Sequence, residues 1–239
     1  AEGAVLPTSL RFNYFTAGSG GVGPTILATS FLLAGEPAVV FVDGERVEAR
    51  PVSNRQVVDF GDGVGKREVF LYNLPEVASC RATFDVPTVT ARFGTSPGVW
   101  NGAMQLVAAL PRQLLESRGF AQSLAAVSLP MVRAIDRLVG EATAMRVDLE
   151  FSNGQKQTGI YLHEHTAEAA GAGAAAFGAA VLRGEAKPGV WFPEEEGAVG
   201  DLDAFFGVAS QGSRRFELSV PSWKVASKAV QIGMGLYWS

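Results

Sequence analysis

The dipeptide Asp43-Gly44 constrains the fold of this chain more than any other feature of its sequence. It joins two short apolar runs at residues 38–42 and 46–49, and an Asp-Gly pair in that setting is typical of a tight β-hairpin. A strand, a glycine cluster and a helix are predicted before it, at residues 10–35. A dinucleotide-binding half-domain would continue with a parallel strand, so the hairpin predicts a sheet with antiparallel pairs instead.

Periodicity along the rest of the chain predicts further strands and helices. Alternating or short apolar runs predict strands at 57–60, 68–72, 88–93, 145–151, 158–162 and 215–220. Pro75 predicts the start of a short helix with Asn73 as its N-cap, and 167–182 is an Ala/Gly-rich helix. The segment 100–139 has a helical pattern, and interruptions divide it into two or three helices, at Pro111, Gly119 and Pro130.

These elements predict an α/β (α+β) fold in which helices pack on a mixed β-sheet. The chain divides into an α/β domain at residues 1–212 and a C-terminal strand and tail at 213–239. With 47% hydrophobic and 18% charged residues, it can bury a sizeable core and does not have the composition of a disordered protein.

Charge, cysteine content and the length of the apolar stretches argue against a nucleic-acid partner, an internal disulfide and a transmembrane segment. The net charge of −4 and pI near 5.3 argue against nucleic acid, which needs a basic surface. Cys80 is the single cysteine, so the chain forms no internal disulfide, as expected in a reducing compartment. The longest apolar stretches, at 24–34 and 169–182, are shorter than the roughly 20 residues that span a bilayer, so no transmembrane segment is predicted.

Gly18, Gly20 and Gly23 form a G-x-G-x-x-G pattern between a predicted strand and helix. With Asp43 about 20 residues on, this matches the dinucleotide fingerprint. The hairpin, however, puts that carboxylate in a turn, where a Rossmann half needs it after a parallel strand. We interpret the glycines as a tight turn and helix start near a cleft, with cofactor contact as the open alternative.

Arg92 is the main candidate for ligand binding. It shares one side of a predicted strand with Thr88 and Thr90, and the strand leads into the turn at 94–98 and a helix start. Free backbone N–H groups there favour an anion, and Arg suits bidentate recognition of a carboxylate. Arg92 with Thr95 and Ser96 is therefore predicted to hold a substrate carboxylate. The alternative is a salt-bridged arginine and a capping serine.

Tyr72 and Asn73 are further candidates for substrate binding. If the strands ending near Ala17, Tyr72 and Phe93 run parallel, the loops after them share one carboxyl edge of the sheet, where open α/β sheets bind ligands. Both residues would then line the cleft. A structural tyrosine and a helix cap are the alternatives.

No catalytic residue and no metal site are predicted. His163-Glu164-His165 supplies too few ligands for a closed metal site, and surface histidines are the simpler interpretation. With two histidines and one cysteine, the chain shows no Ser-His-Asp or Cys-His nucleophilic arrangement. Cys80 is interpreted as a small packed residue.

Several segments, in this order, resemble the carboxyl-terminal half of saccharopine-dehydrogenase-like proteins, above all the branch of plant and algal plastids and cyanobacteria. They are YFTAGSGGVGPTILATS (14–30), LPEV (74–77), VPTVTARFGT (86–95), PGVWFPEE (188–195) and, more weakly, ASQG (209–212). Ordered matches over most of residues 10–195 are more specific than any single short motif.

The resemblance implies a substrate-binding and dimerisation half of an NAD(P)-linked oxidoreductase that acts on a C–N bond of an amino-acid-like substrate. It also implies a Rossmann domain upstream of Ala1 that binds NAD(P), so no cofactor and no catalysis are expected of this chain alone. Expected partners are a second copy or another subunit, with the plastid stroma or a membrane surface as the location and the cytoplasm otherwise. The alternative is a non-catalytic accessory or scaffold subunit of a plastid membrane complex, docked through the apolar tail at 225–239.

Overall fold

The computed structural model describes residues 5–18, 23–227, 230–232 and 236–238. Its strands are β1 (Pro7–Ala17), β2 (Ala38–Val42), β3 (Glu45–Ala49), β4 (Ser53–Asp59), β5 (Lys66–Leu71), β6 (Thr88–Ser96), β7 (Ala142–Phe151), β8 (Lys156–His163), β9 (Arg215–Val220), β10 (Val230–Ile232) and β11 (Leu236–Trp238). Its helices are α1 (Pro24–Gly35), α2 (Pro75–Phe84), α3 (Val99–Ala108), α4 (Arg112–Leu115), α5 (Arg118–Val139), α6 (Thr166–Leu182), α7 (Leu202–Ala209) and α8 (Ser222–Val225).

The described strands form a nine-stranded mixed sheet and a separate β10–β11 pair. The order in the large sheet is β3-β2-β6-β1-β7-β8-β9, and β5 pairs with both β6 and β4. Among the described pairs of this sheet, β1 and β6 run parallel and the others run antiparallel. The predicted α/β class with a mixed sheet is confirmed, as is the hairpin at Asp43-Gly44.

Strand β1 lies at the centre and separates two cores. Because side chains alternate along a strand, Leu10, Phe12 and Tyr14 point to what we call the first face of the sheet, and Asn13 and Phe15 point to the second face. On the first face, α2 packs over a cluster at Leu10, Val77, Cys80, Val86, Val89 and Ala91. On the second face, a cluster joins the sheet to the β4–β5 turn and α8, at Phe15, Phe60, Val64, Val69, Ala144, Ile160, Leu162 and Val225.

The β4–β5 hairpin curves over the second face. Phe60, fully buried, packs on Phe15, and burial of one such ring contributes about 1.5 to 3 kcal/mol. At Gly94 a β-carbon would overlap the carbonyl oxygen of Glu68, so the close approach of β5 to β6 requires glycine there. The hairpin therefore covers the polar residues that lie further along the same face.

The segment 100–139 contains three helices with a break at Pro111, as predicted, but three other expectations about the helices and strands are wrong. Helix α5 begins at Arg118, capped by the Ser117 hydroxyl, and continues through Pro130, so neither Gly119 nor Pro130 interrupts it. Pro130 is exposed on an outer helix, where the missing N–H does not have to be replaced inside the core. Asn73 is not the N-cap of α2; Leu74 holds that position without a side-chain cap.

The third wrong prediction concerns β5, which runs antiparallel to β6, so Tyr72 and Phe93 do not end at the same edge. Of the apolar tail at 225–239, the structure describes residues 225–227, 230–232 and 236–238. The side chains of Tyr237 and Trp238 lie outside the described residues. In the described part of the chain, no helix has both the length and the apolar character needed to cross a bilayer.

Candidate functional site

Polar side chains occupy the middle of the second face, where an apolar surface would be expected. Arg92 on β6, Asn13 on β1 and Arg146 on β7 are neighbours in register across three strands. The next row carries Thr90, Arg11 and Asp148. We call these six residues the polar strip: Arg11, Asn13, Thr90, Arg92, Arg146 and Asp148.

Arg92 is a buried cation with neutral hydrogen-bond partners. Arg92 is 5% exposed. Its guanidinium donates from Nη1 to Thr90 Oγ1 at 3.0 Å and from Nη2 to Asn54 Oδ1 at 3.3 Å. Its Nε is buried and has no partner. Burial, and then the charge of Arg11, lowers the pKa of Arg92 to about 10, so the guanidinium is still protonated at neutral pH.

Asn13 holds a matching unpaired acceptor on the adjacent strand. Asn13 is 3% exposed, and its Oδ1 is buried without a partner. An unpaired buried donor or acceptor costs about 1 to 3 kcal/mol of folding free energy. Asn13 and Arg92 are register partners on adjacent strands, so one buried donor and one buried acceptor are left unpaired at the same level of the sheet.

The other two arginines of the polar strip are neutralised. Arg146 donates from Nε and Nη2 to Asp148, and from Nη1 to the Asp59 carbonyl oxygen at 2.6 Å. Arg11 donates to Glu150 Oε2 at 2.8 Å. Among the residues that the structure describes, no carboxylate pairs with Arg92. The uncompensated positive charge of the polar strip is thus concentrated at Arg92.

The local path of β4 brings Asn54 to Arg92. The β4–β5 register shifts between Ser53 and Gln56, and Asn54 has a φ of 50°, a left-handed conformation that Asn tolerates better than most residues. Asn54 is exposed, as is Arg11. These two side chains are therefore solvent-exposed neighbours of the buried Arg92.

The predicted partners Thr95 and Ser96 lie further along β6. Thr95 points to the opposite face from Arg92, and its backbone exchanges hydrogen bonds with the Asn101 side chain, both at 3.1 Å. Ser96 shares the face of Arg92 but lies at the end of the strand. The structure brings Arg92 together with Thr90, as the alternation predicts, and it does not bring Arg92 to Thr95.

Tyr72 and Asn73 lie in a separate cluster. Tyr72 is buried beside Phe70 and meets the Phe93 ring edge-on at 5.9 Å, and burial raises its pKa. Asn73 Nδ2 donates to Glu36 Oε2 at 2.9 Å. Phe93 is on the first face, so this cluster is on the other side of the sheet from Arg92.

The glycine pattern does not have the surroundings of a dinucleotide site. Gly18 follows β1 with a φ of 64°, Gly23 precedes α1, and Gly20 lies outside the described residues. Strand β2 runs antiparallel to β6, and Asp43 is exposed in the hairpin turn. The described residues therefore do not fit NAD(P), because the protein carboxylate that binds the ribose of the cofactor should follow a parallel strand.

The histidines and the cysteine do not form a reactive group. The interpretation of both histidines as surface residues is wrong for His163, which is buried, stacks on Tyr161 and accepts at Nδ1 from the His165 backbone N–H. His165 is exposed and bonds to Glu141. Within the described ranges, no cluster of three or more His, Cys, Asp or Glu side chains has the arrangement of a metal site. Burial, with the nearby charge of Glu194, raises the pKa of the Cys80 thiol to about 12, which disfavours the thiolate.

Asn13 and Asn54 are among the residues of this site that the sequence reasoning missed. Asn13 follows Ser9 and Arg11 at alternate positions of β1, and this run of polar residues opposite Leu10 and Phe12 could have revealed it. Asn54 carries no such signal, because its position depends on how the β4–β5 hairpin curves over the sheet.

Comparisons with known proteins add no family assignment. No model of a protein family matches this chain, and no curated protein matches it. The resemblance to saccharopine-dehydrogenase-like proteins stays a prediction that rests on the segments quoted above.

Proposed function

We propose that this chain is the substrate-binding and subunit-pairing part of an NAD(P)-linked oxidoreductase of the saccharopine-dehydrogenase-like kind. Its substrate would be amino-acid-like, and the reaction would take place at a C–N bond. The observation that carries the proposal is the pair of unpaired buried atoms, Arg92 Nε and Asn13 Oδ1. The sequence resemblance supplies the reaction class.

An α-amino acid complements this pair of atoms. Its carboxylate accepts from the Arg92 guanidinium, and its ammonium group donates to Asn13 Oδ1. A simple anion offers acceptors alone, so it would satisfy Arg92 and leave the Asn13 oxygen unpaired. A site that needs both partners discriminates strongly against ligands without one of them, because the orphaned buried group is costly.

In this function the described residues bind and orient the substrate. They do not fit NAD(P), so no step of hydride transfer is assigned to them. In cofactor enzymes the protein supplies position and electrostatics while the cofactor carries the redox chemistry. The role of Arg92 would be to fix the substrate carboxylate and so the orientation of the reacting C–N bond.

Pairing with a second copy is the other part of the proposal. Large apolar side chains are exposed on the outer helices, with Leu106 of α3 75%, Val127 of α5 80% and Met131 of α5 54% exposed. Exposed apolar residues that share helix faces favour a protein contact. A non-catalytic accessory subunit would use the same exposed apolar residues of α3 and α5 to contact its partner, but it would not bind an amino acid at Arg92.

Calorimetric titration tests the proposed ligand class. We expect L-glutamate to bind, and glutarate and n-butylamine to bind at least tenfold more weakly, because each lacks one of the two charged groups. Equal affinity for glutarate and L-glutamate would show that Asn13 is not used. Absence of L-glutamate binding up to about 10 mM, roughly −3 kcal/mol, would contradict the proposal.

A further inference from the structure

A recess lies on the first face of the sheet, on the other side from Arg92. It is a groove of about 510 Å³ between α2, helices α6 and α7, and the segment 192–194. This volume lies within the range of small-molecule sites, roughly 300 to 1,000 Å³. Phe12 of β1 lines the groove, and because it neighbours Asn13 it points away from the polar strip.

The walls of the groove are mainly aromatic. Phe177 of α6 meets Phe205 of α7 at a ring distance of 4.7 Å, and Phe205 contacts Phe206 at 5.5 Å. Phe192 closes the groove from the segment after α6 and is 54% exposed. The rings thus form a preformed apolar surface with one side open to solvent.

Two carboxylates lie among these apolar walls. Glu76, in the first turn of α2, accepts from the Tyr14 hydroxyl and its own backbone N–H, and Glu194 Oε1 accepts from Cys80 Sγ at 3.6 Å. Burial, together with the Glu194 charge, raises the pKa of Glu76. No lysine or arginine is among the described residues that line the groove. Two acids therefore face an apolar recess without a cation from its walls.

We propose that this groove binds a small organic amine, with its ammonium group between Glu76 and Glu194 and its apolar body against the phenylalanine rings. A cation relieves the repulsion between the two carboxylates and gains from aromatic faces as well. An anion is repelled, and a neutral apolar molecule covers the two carboxylates without supplying a compensating positive charge. The site is separate from the amino-acid site at Arg92 and does not depend on it.

Three probes of one carbon frame test the charge requirement: 4-phenylbutylamine, 4-phenylbutanol and 4-phenylbutyrate. In calorimetric titrations of the full chain at pH 7.5, we expect the amine to bind at least tenfold more tightly than the alcohol, and the acid to bind more weakly than both. Equal binding of amine and alcohol would overturn the proposal, as would the absence of amine binding up to about 10 mM.

Variants locate the binding. Glu76→Gln and Glu194→Gln should each weaken amine binding by about tenfold and leave alcohol binding unchanged. Glu116→Gln, at the exposed C-cap of α4, should change neither. Phe192→Ala should weaken amine and alcohol alike, and its exposure makes loss of folding improbable. Melting curves identify any variant that fails to fold. Amine affinity that both glutamine variants leave unchanged would place the amine elsewhere.

Discussion

Arg92 and Asn13 face each other across the parallel β1–β6 pair, and each keeps one polar atom buried without a hydrogen-bond partner. The nearby Arg146 shows how the same sheet neutralises an arginine when it acts in packing, since it is held by Asp148 and the Asp59 carbonyl. The contrast separates an arginine that is paired with an acid from one that keeps an unpaired donor. It also makes opposite predictions for the two residues.

Replacing Arg92 should lower the affinity for L-glutamate strongly and change the free energy of unfolding little. Arg92→Leu removes a desolvated charge that no carboxylate compensates, so we expect a free energy of unfolding within about 1 kcal/mol of the wild type. Affinity for L-glutamate should fall by roughly 10- to 150-fold, the effect of losing a charge-assisted pair. Urea unfolding and calorimetric titration of the same protein measure both quantities.

Arg146→Leu is the matched control for Arg92→Leu. It removes the cationic partner of Asp148, which keeps the Thr158 hydroxyl as a donor, and should lower the free energy of unfolding by roughly 2 to 4 kcal/mol. If Arg92→Leu instead loses stability while its affinity for L-glutamate is unchanged, Arg92 is a structural residue and the proposed amino-acid site is wrong.

Asn13→Asp should block the proposed amino-acid site, because the new side chain can occupy the unpaired donor of Arg92. The new carboxylate lies beside Arg92 Nε and can accept the hydrogen bond that a ligand carboxylate would take. We expect a higher melting temperature and at least a tenfold lower affinity for L-glutamate. Asn153→Asp, in the exposed β7–β8 turn, should alter neither. Unchanged affinity in Asn13→Asp would argue against contact between the ligand and this pair.

Asp59 should make stability depend on pH in the acid range. Burial acts to raise its pKa, but hydrogen bonds from the Gly61 and Ser227 N–H groups and the Ser227 hydroxyl outweigh it, so its pKa is lowered. Its contribution is therefore present above the ordinary Asp pKa, about 4, and is lost as the pH falls through the lower folded value.

Asp59→Asn should lower the free energy of unfolding at pH 7 by about 1 to 2 kcal/mol. The difference from the wild type should shrink as the pH falls below about 4, because Asp59 in the unfolded chain then takes up a proton before Asp59 in the folded protein does. Asp43→Asn serves as the control, because Asn suits the same exposed hairpin turn. A difference that stays constant from pH 7 to pH 2.5 in urea unfolding would show that the Asp59 charge is not involved.

This chain should bind NAD or NADP with a dissociation constant above about 1 mM, because β2 does not continue the glycine turn as a parallel strand. Calorimetry with each nucleotide measures this directly. Micromolar affinity for either nucleotide would reverse the interpretation of Gly18 and Gly23.

The exposed helices should mediate self-association. We expect sedimentation velocity at rising concentration to show a dimer, and Val127→Asp with Met131→Asp to shift it to a monomer, because charges are unfavourable in an apolar contact. Val57→Asp, on exposed β4, is the control. A monomer at every concentration would remove subunit pairing from the proposed function.

Local pattern predicted most of the fold and part of the site. Apolar runs and alternation predicted β1, β6 and β7, and the turn residues Asp43-Gly44 predicted their hairpin, because these signals act between neighbours in sequence. The direction of β5 and the position of Asn54 could not be predicted from local sequence, since both depend on how the β4–β5 hairpin folds back on the sheet. Alternation predicted the shared side of Arg92 and Thr90, but not which arginine would be without an acid.

The central position of β1 also governs the order in which this chain can fold. Leu10, near the beginning of the chain, pairs with Val89 on one side and with Leu149 on the other. Closing such long loops is entropically costly, and sheets built from distant pairings form slowly. During synthesis, β1 leaves the ribosome long before either neighbour. Until β7 has been made, the nascent chain carries an apolar strand with an open edge, which is where misassembly would begin.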